Sequence, residues 1–117
     1  MANKYGIPSE IERQIRLRDK TCVYCGKKMK KNHATDKPTI EHLNNIVHIN
    51  PDECARDCNT ITTLAICCAS CNTSRGAKHY WDWFESAYCV KNNINKKTVA
   101  TVVKKYIKKY PTIRKFK

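Results

Sequence analysis

Four cysteines stand in two pairs with the spacing of a metal site. Cys22 and Cys25 form one C-x2-C pair, and a second pair, Cys68 and Cys71, follows after 42 intervening residues. Each pair can place two sulfurs on one ion, and two pairs complete a tetrahedral shell. Such a shell leaves no position for a substrate, so we predict a structural zinc. Cys67 adjoins the second pair, but successive residues of an extended segment face opposite ways, which favours Cys68 as the ligand.

The stretch TIEHL places a carboxylate beside an imidazole, at Glu41 and His42. A zinc ion shared by the two cysteine pairs would bring this stretch close to Asn72, which directly follows the second pair. A carboxylate and an amide oxygen are hard ligands suited to Mg²⁺ or Mn²⁺. A neutral imidazole can take a proton from water near neutral pH. With the cations Arg75 and Lys78 nearby, these are the parts needed to hydrolyse a phosphodiester.

The other cysteines are not predicted to bind the same ion. Cys54 and Cys58 are spaced C-x3-C in a polar loop. One pair supplies only half of a tetrahedral shell, so buried or free thiols are favoured there over a second metal site. Cys89 is predicted to be a core residue.

The candidate residues fall on two strands and a helix. An amphipathic helix is predicted over 8–20 because its isoleucines repeat at helical spacing. The β-branched stretches 39–43 and 60–68 predict two strands. The following segment, 69–78, predicts a short helix or turn that Gly76 closes.

The remainder of the chain predicts helices. Trp81, Phe84 and Tyr88 recur at i, i+3 and i+7 in a helix over 78–90, and this stripe favours core packing over base stacking. A second helix is predicted over 95–110, with lysines on its outer face. Its apolar face is predicted to consist of Val99, Val102, Val103 and Tyr106.

The composition favours a single basic domain, and the predicted strands and helices give it the α+β class. The chain has 117 residues, 23 Lys and Arg against 10 Asp and Glu, and a net charge of +13. An excess this large favours a nucleic-acid phosphate backbone as a partner over a merely solvated surface or an anionic membrane. No apolar run approaches the ~20 residues of a membrane span, and the first ten residues lack a signal-peptide core, so we expect a cytoplasmic protein with no membrane partner. We predict one domain over 1–117, with a core at about 8–80 and a helical basic extension over 81–117.

Three motifs together resemble the HNH endonucleases, whose fold is named ββα-metal or His-Me finger. They are RDKTCVYCGKKM, TIEHL and LAICCASCNTSRGAK, in the family's order and at compatible spacing. The resemblance runs from about Arg16 to Lys78. It implies a small ββα-metal core with a four-cysteine structural zinc, flanked by an N-terminal helix and C-terminal helices. It also implies hydrolysis of DNA to a 5′-phosphate and a free 3′-hydroxyl.

The resemblance assigns roles to the site residues. His42 aligns with the general base, while Glu41 and Asn72 align with positions that hold a catalytic Mg²⁺ or Mn²⁺. Arg75 and Lys78 are the candidates for contacts to DNA phosphates.

Three positions depart from the family's pattern. Glu41 stands where Asp is more usual, so a longer side chain must reach the metal. The family's central Asn falls at Thr63, and either Thr63 or Asn59 can take over its structural role. The loop 43–60 lacks the usual Pro- and Gly-rich turn and carries His48 and two cysteines instead.

A non-catalytic reading of the same residues is a zinc-stapled module that binds nucleic acid without cutting it. In that reading the charge and the zinc have the same purpose, and Glu41 and His42 are structural. The nuclease hypothesis is favoured because a pure binding module needs neither a general base nor hard metal ligands.

Overall fold

A two-stranded antiparallel sheet organises the fold. A computed structural model describes residues 7–43 and 60–109. Within them the elements are α1 (Ser9–Arg18), β1 (Pro38–His42), β2 (Leu64–Cys68), α2 (Ala69–Arg75), α3 (Tyr80–Phe84), α4 (Ala87–Asn92) and α5 (Thr101–Lys109). The predicted α+β class is confirmed, and both predicted strands are present. The second strand is shorter than the predicted 60–68, because residues 61–63 form a turn and β2 begins at Leu64. The predictions for His48, Cys54, Cys58 and Asn59 concern residues outside the described ranges.

The sheet is covered on both faces, which explains why β2 is buried along its whole length. Leu64 and Ile66 belong to one apolar cluster with Ile15 of α1. Ala65 and Cys67 belong to the larger cluster that α3, α4 and α5 complete. Alternate residues of a strand face opposite sides, so one apolar strand supplies both clusters.

Helix α2 follows β2 without a connecting loop and ends where the sequence predicted. Gly76 lies at its C-cap with φ 51° and ψ −125°, a backbone conformation that residues with a Cβ rarely adopt. The α2 helix therefore begins at the zinc-spaced cysteines and stops just after Arg75. The order β1, β2, α2 puts the candidate site residues on three contacting elements.

The predicted helix over 78–90 is two short helices, which is a correction. Ser86 separates α3 from α4, and its hydroxyl accepts a hydrogen bond from the Cys89 amide as an N-cap. The break changes which aromatic is central, because Trp83 is fully buried whereas Trp81 is only half-buried. The predicted stripe assumed a single continuous helix and therefore missed Trp83. Cys89 is a core residue, as predicted.

Helix α5 is amphipathic, as predicted, but begins at Thr101 rather than near 95. Val103 and Tyr106 are buried, while Lys104, Lys105 and neighbouring lysines are exposed. None of the helices in the described residues is long and apolar enough to cross a membrane.

Candidate metal centre and active site

The four sulfurs of the two predicted cysteine pairs lie close together. The sulfurs all lie within 4.8 Å of one another and belong to Cys22, Cys25, Cys68 and Cys71. Zinc–sulfur bonds of about 2.3 Å in a tetrahedron place sulfurs about 3.8 Å apart, and the Cys25 and Cys68 sulfurs are 4.0 Å apart. The cluster could therefore hold a zinc ion. Cys67 is not part of it, as predicted, and its sulfur instead lies 3.8 Å from the Thr39 hydroxyl.

The first pair forms a tight turn that directs amide hydrogens at sulfur. The Gly26 amide donates to the Cys22 carbonyl at 2.9 Å, and the Tyr24 amide donates to the Cys22 sulfur at 3.4 Å. Gly26 has φ 78°, which only glycine adopts without strain. Amide donors of this kind help to neutralise metal-bound thiolates.

The thiol pKa values show how closely these sulfurs interact. Hydrogen bonds from Cys25 and Cys71 lower the pKa of the Cys22 thiol well below its usual value. Hydrogen bonding to Cys22 and then to Cys25 raises the pKa of Cys71. Four thiolates at this distance repel one another strongly, and a divalent cation offsets that repulsion while displacing the protons.

Glu41 lies inside the protein, in a network of hydrogen bonds. Its side chain is 6% exposed, and Oε2 accepts hydrogen bonds from the Tyr24 hydroxyl at 2.7 Å and from Arg75 Nη1 at 3.1 Å. Burial raises the pKa of Glu41, and the charge of Arg75 opposes that rise. The donors around Oε2 are satisfied by the ionised carboxylate. Among the described residues, both hydrogen bonds to this carboxylate end on Oε2.

Arg75 is buried, and its prediction as a phosphate contact is wrong. The residue is 2% exposed. Besides Glu41, its guanidinium donates to the carbonyls of Leu43 at 2.9 Å and Lys78 at 3.1 Å, and it stacks 3.8 Å from the centre of the Tyr80 ring. Each of the three guanidinium nitrogens therefore donates a hydrogen bond to another group of the protein.

The helical spacing of Arg75 explains its burial. Residues four apart lie on the same face of a helix. Arg75 comes four residues after Cys71, a buried member of the four-cysteine cluster. That face of α2 packs on the sheet, so Arg75 must point inward too. The four-residue spacing is visible in the sequence. It predicts that Arg75 is buried only once the face of α2 that carries the cysteine is known to be the buried face.

The Asn72 side chain is hydrogen-bonded to β1, the strand that carries Glu41 and His42. Its Nδ2 donates to the Thr39 hydroxyl at 2.9 Å and to the Ile40 carbonyl at 3.1 Å. Because the amide nitrogen faces β1, the carbonyl Oδ1 points away from these contacts. No hydrogen bond from the described residues reaches Oδ1. The predicted proximity of Asn72 to this strand is therefore present in the structure.

His42 is half-buried at the last position of β1, opposite Leu64 in the sheet. Its carbonyl accepts a hydrogen bond from Arg75 Nη1 at 3.4 Å. The next residue is held as well, because the Leu43 amide donates to the Thr63 carbonyl at 2.9 Å. The backbone on both sides of the imidazole is thus fixed by α2 and by the turn before β2.

Thr63 and Lys78 have different surroundings. Thr63 is 3% exposed, and its side chain accepts the Thr60 amide at 3.2 Å, so it closes the turn that holds Leu43. Whether Thr63 or Asn59 replaces the family's central Asn stays a prediction. Lys78 is exposed, and its ammonium donates to the Ser74 carbonyl at 3.1 Å. Lys78 can therefore reach a phosphate, and its assignment stays a prediction.

Two tyrosines complete the buried network, and sequence reasoning missed both. The Tyr24 hydroxyl lies 2.7 Å from that of Tyr80, which also accepts from Arg75 at 3.0 Å. Tyr24 lies between the two cysteines of the first pair, so its side chain links the turn of that pair to Glu41. Its position inside C-x-x-C gave no sign of this role, because the direction of the side chain depends on how the turn packs against β1.

No protein-family model, curated protein or solved structure matches this chain. The function must therefore be inferred from the residues themselves. They provide four cysteine sulfurs that could hold a metal ion, and a strand that carries a carboxylate and an imidazole and accepts hydrogen bonds from the Asn72 amide.

Proposed function

We propose that this protein is a metal-dependent endonuclease of the HNH type that hydrolyses DNA phosphodiester bonds. In this proposal His42 is the general base, and Glu41 and Asn72 hold a Mg²⁺ or Mn²⁺ ion. Cys22, Cys25 and the second pair of cysteines hold a structural zinc that folds the site without taking part in the reaction.

The contact between Asn72 and β1 is the observation that carries the proposal. The first residue after the four-sulfur cluster donates to the two residues that precede Glu41, at 2.9 and 3.1 Å. His42 and Asn72 are 30 positions apart in the chain. They lie on β1 and α2, which these hydrogen bonds join directly. A zinc site that served only to stabilise the fold would not require a hydrogen-bonding amide and a carboxylate–imidazole pair at the same place.

The donor set suits a hard divalent cation. Glu41 offers Oε1 and Asn72 offers Oδ1, and carboxylate and carbonyl oxygens are what Mg²⁺ and Mn²⁺ prefer. When bound, such an ion supplies positive charge to the phosphate oxygens as negative charge develops on them. Arg75 holds the other carboxylate oxygen of Glu41, so it limits the orientations that this side chain can take.

The residues of this chain perform the remaining work. His42 takes the proton from the water that attacks phosphorus, and its backbone is kept in place by Arg75 and by the Leu43–Thr63 hydrogen bond. A general base fixed in this way contributes typically 10²–10⁴-fold to a rate. Lys78, exposed just beyond α2, can bind a neighbouring phosphate.

Plasmid cleavage tests the proposal. Zinc-loaded wild-type protein is incubated with supercoiled plasmid and Mg²⁺ or Mn²⁺, and nicked product is measured against time. His42→Ala and Asn72→Ala should each lower the nicking rate by at least about 100-fold. His33→Ala is the matched control, because His33 is an exposed histidine on another loop and should cut like the wild type.

Two further measurements make the outcome unambiguous. Zinc content and the circular dichroism spectrum establish that each variant is folded. If folded wild-type protein binds plasmid but never nicks it with either ion, the non-catalytic binding module is the correct description. If His42→Ala cuts as fast as His33→Ala, the role given to His42 is wrong.

A further inference from the structure

A groove of about 410 Å³ lies between α5 and the turn that precedes β2. One wall is the turn 61–63, and the other is α5 through Val102, Lys105 and Lys109. Arg18 also lines the groove. The groove is separate from the zinc cluster and from the Glu41 network, neither of which contributes a residue to it.

The lining has the chemistry of an anion site with an apolar floor. Arg18, Lys105 and Lys109 are cationic, and among the described residues no carboxylate lines the groove. Arg18 is held in position because Nη1 donates to the Ile61 carbonyl at 2.6 Å and Nε pairs with the Asp19 carboxylate at 2.7 Å. That carboxylate offsets the charge of Arg18, so the two lysines supply the charge available to an anion. Val102, three residues before Lys105 on α5, supplies apolar surface. Cations beside apolar surface suit a strand whose phosphates are charged and whose sugars are not.

The C-terminal part of the sequence carries most of the positive charge. Residues 86–117 contain nine Lys and one Arg and no Asp or Glu. They account for +10 of the net +13, while residues 1–85, with 13 basic and 10 acidic residues, account for only +3. Within this part of the sequence, the four lysines of α5 create a positive field that attracts polyanions.

The groove runs up to the end of the strand that carries His42. Thr63 lines the groove, and its carbonyl accepts a hydrogen bond from Leu43, the residue after His42, at 2.9 Å. A chain of phosphates lying in the groove would therefore continue past the end of β1. The lysines of α5 are placed to hold phosphates to one side of the proposed reaction site.

We infer that this groove binds the phosphate backbone of one DNA strand, with Lys105 and Lys109 contacting phosphates other than the one that is cut. The choice of DNA as the occupant rests on the proposed function, and the charge and the lining of the groove are independent of it. The inference identifies the two lysines among the exposed ones of α5 that matter most.

The α5 helix offers a matched pair of double variants. Lys105→Gln/Lys109→Gln removes two charges from the groove. Lys104→Gln/Lys108→Gln removes two charges from the same helix at exposed positions that do not line it. Gln and Lys have similar helix propensity, so both variants should fold like the wild type. The probe is a fluorescent DNA duplex of arbitrary sequence, titrated with zinc-loaded full-length protein at several salt concentrations without added Mg²⁺ or Mn²⁺.

The groove variant should show the smaller dependence on salt. Each phosphate contact contributes about 0.9 to the slope of log affinity against log salt, so losing two contacts lowers the slope by about 1.8. Between about 50 and 200 mM salt the wild-type affinity should then fall roughly 12-fold more than that of the groove variant. The control variant should keep most of the wild-type slope. Equal slopes for the two variants, or a groove variant identical to the wild type, would overturn the inference.

Two more results separate this inference from the proposed function. If the slopes differ as expected but wild-type protein never nicks plasmid, the groove binds DNA and the nuclease proposal fails. If nicking depends on His42 but the two variants bind DNA alike, the nuclease proposal stands and the groove assignment fails. Anionic phosphatidylserine vesicles serve as a second probe, and binding to them but not to DNA would also overturn the inference.

Discussion

Replacing Arg75 by methionine should destabilise the protein strongly, because the guanidinium holds together the strand end that carries His42. Methionine keeps much of the buried apolar volume and removes the charge and every donor. The variant leaves Glu41 buried without its cation, and it leaves the carbonyls of Leu43 and Lys78 without the hydrogen bonds that Arg75 donated at 2.9 and 3.1 Å.

The size of the effect can be worked out from these contacts. Removing one partner of a buried ion pair costs about 3–5 kcal/mol, and each buried carbonyl left without a donor costs about 1–3 kcal/mol. The full sum is not reached, because Glu41 can take up a proton: burial already raises the pKa of its carboxyl group. We therefore expect the free energy of unfolding to fall by about 3–5 kcal/mol, a large share of the 5–15 kcal/mol typical of a domain.

The assay is urea unfolding of zinc-loaded protein, followed by circular dichroism. Glu41→Gln and the double variant Glu41→Gln/Arg75→Met complete a cycle, and the double variant should lose about 1–3 kcal/mol less than the sum of the two single losses. Lys78→Met is the control for removing an exposed cation beside the same helix, and it should change stability by no more than about 0.5 kcal/mol.

One result would refute the reasoning directly. If Arg75→Met unfolds at the same urea concentration as Lys78→Met, Arg75 is not held in the buried network. Additive losses in the cycle would show that Arg75 stabilises the fold without acting on Glu41.

Three other predictions concern the metal centre and the helices. Cys71→Ser should abolish binding of one zinc per chain as measured by atomic absorption, whereas Cys67→Ser should retain it, because only the Cys71 sulfur belongs to the cluster; equal zinc contents would contradict the ligand assignment. Trp83→Ala should lower the free energy of unfolding by about 3–5 kcal/mol, and Trp81→Ala, at a half-buried position, by much less. The reverse order in urea unfolding would contradict the burial of Trp83 and favour a single continuous helix. Ser86→Ala should cost about 1 kcal/mol by removing the cap of α4, and an unchanged thermal midpoint would count against that cap.

Local features of the chain were predictable because they depend on short-range physics. Strand β1 and helix α2 appear where β-branched residues and Gly76 predicted them. The helix over 78–90 was predicted incorrectly because helical periodicity alone does not detect the Ser86 cap, which ends one helix and begins another.

The sequence by itself determined the zinc-spaced cysteines, the basic charge and the identity of the residues at the strand end, because these follow from residue types and their spacing. Only the tertiary structure decided the fate of the ionisable groups beside them. Arg75 looked like a surface cation, but α2 packs the face that carries it against β1, where it pairs with Glu41 instead of a phosphate. The linear chain does not contain that information, since burial and pairing depend on elements that meet across 34 residues of sequence. The same packing hydrogen-bonds Asn72 of α2 to the strand that carries His42, and Lys105 and Lys109 of α5 line the groove.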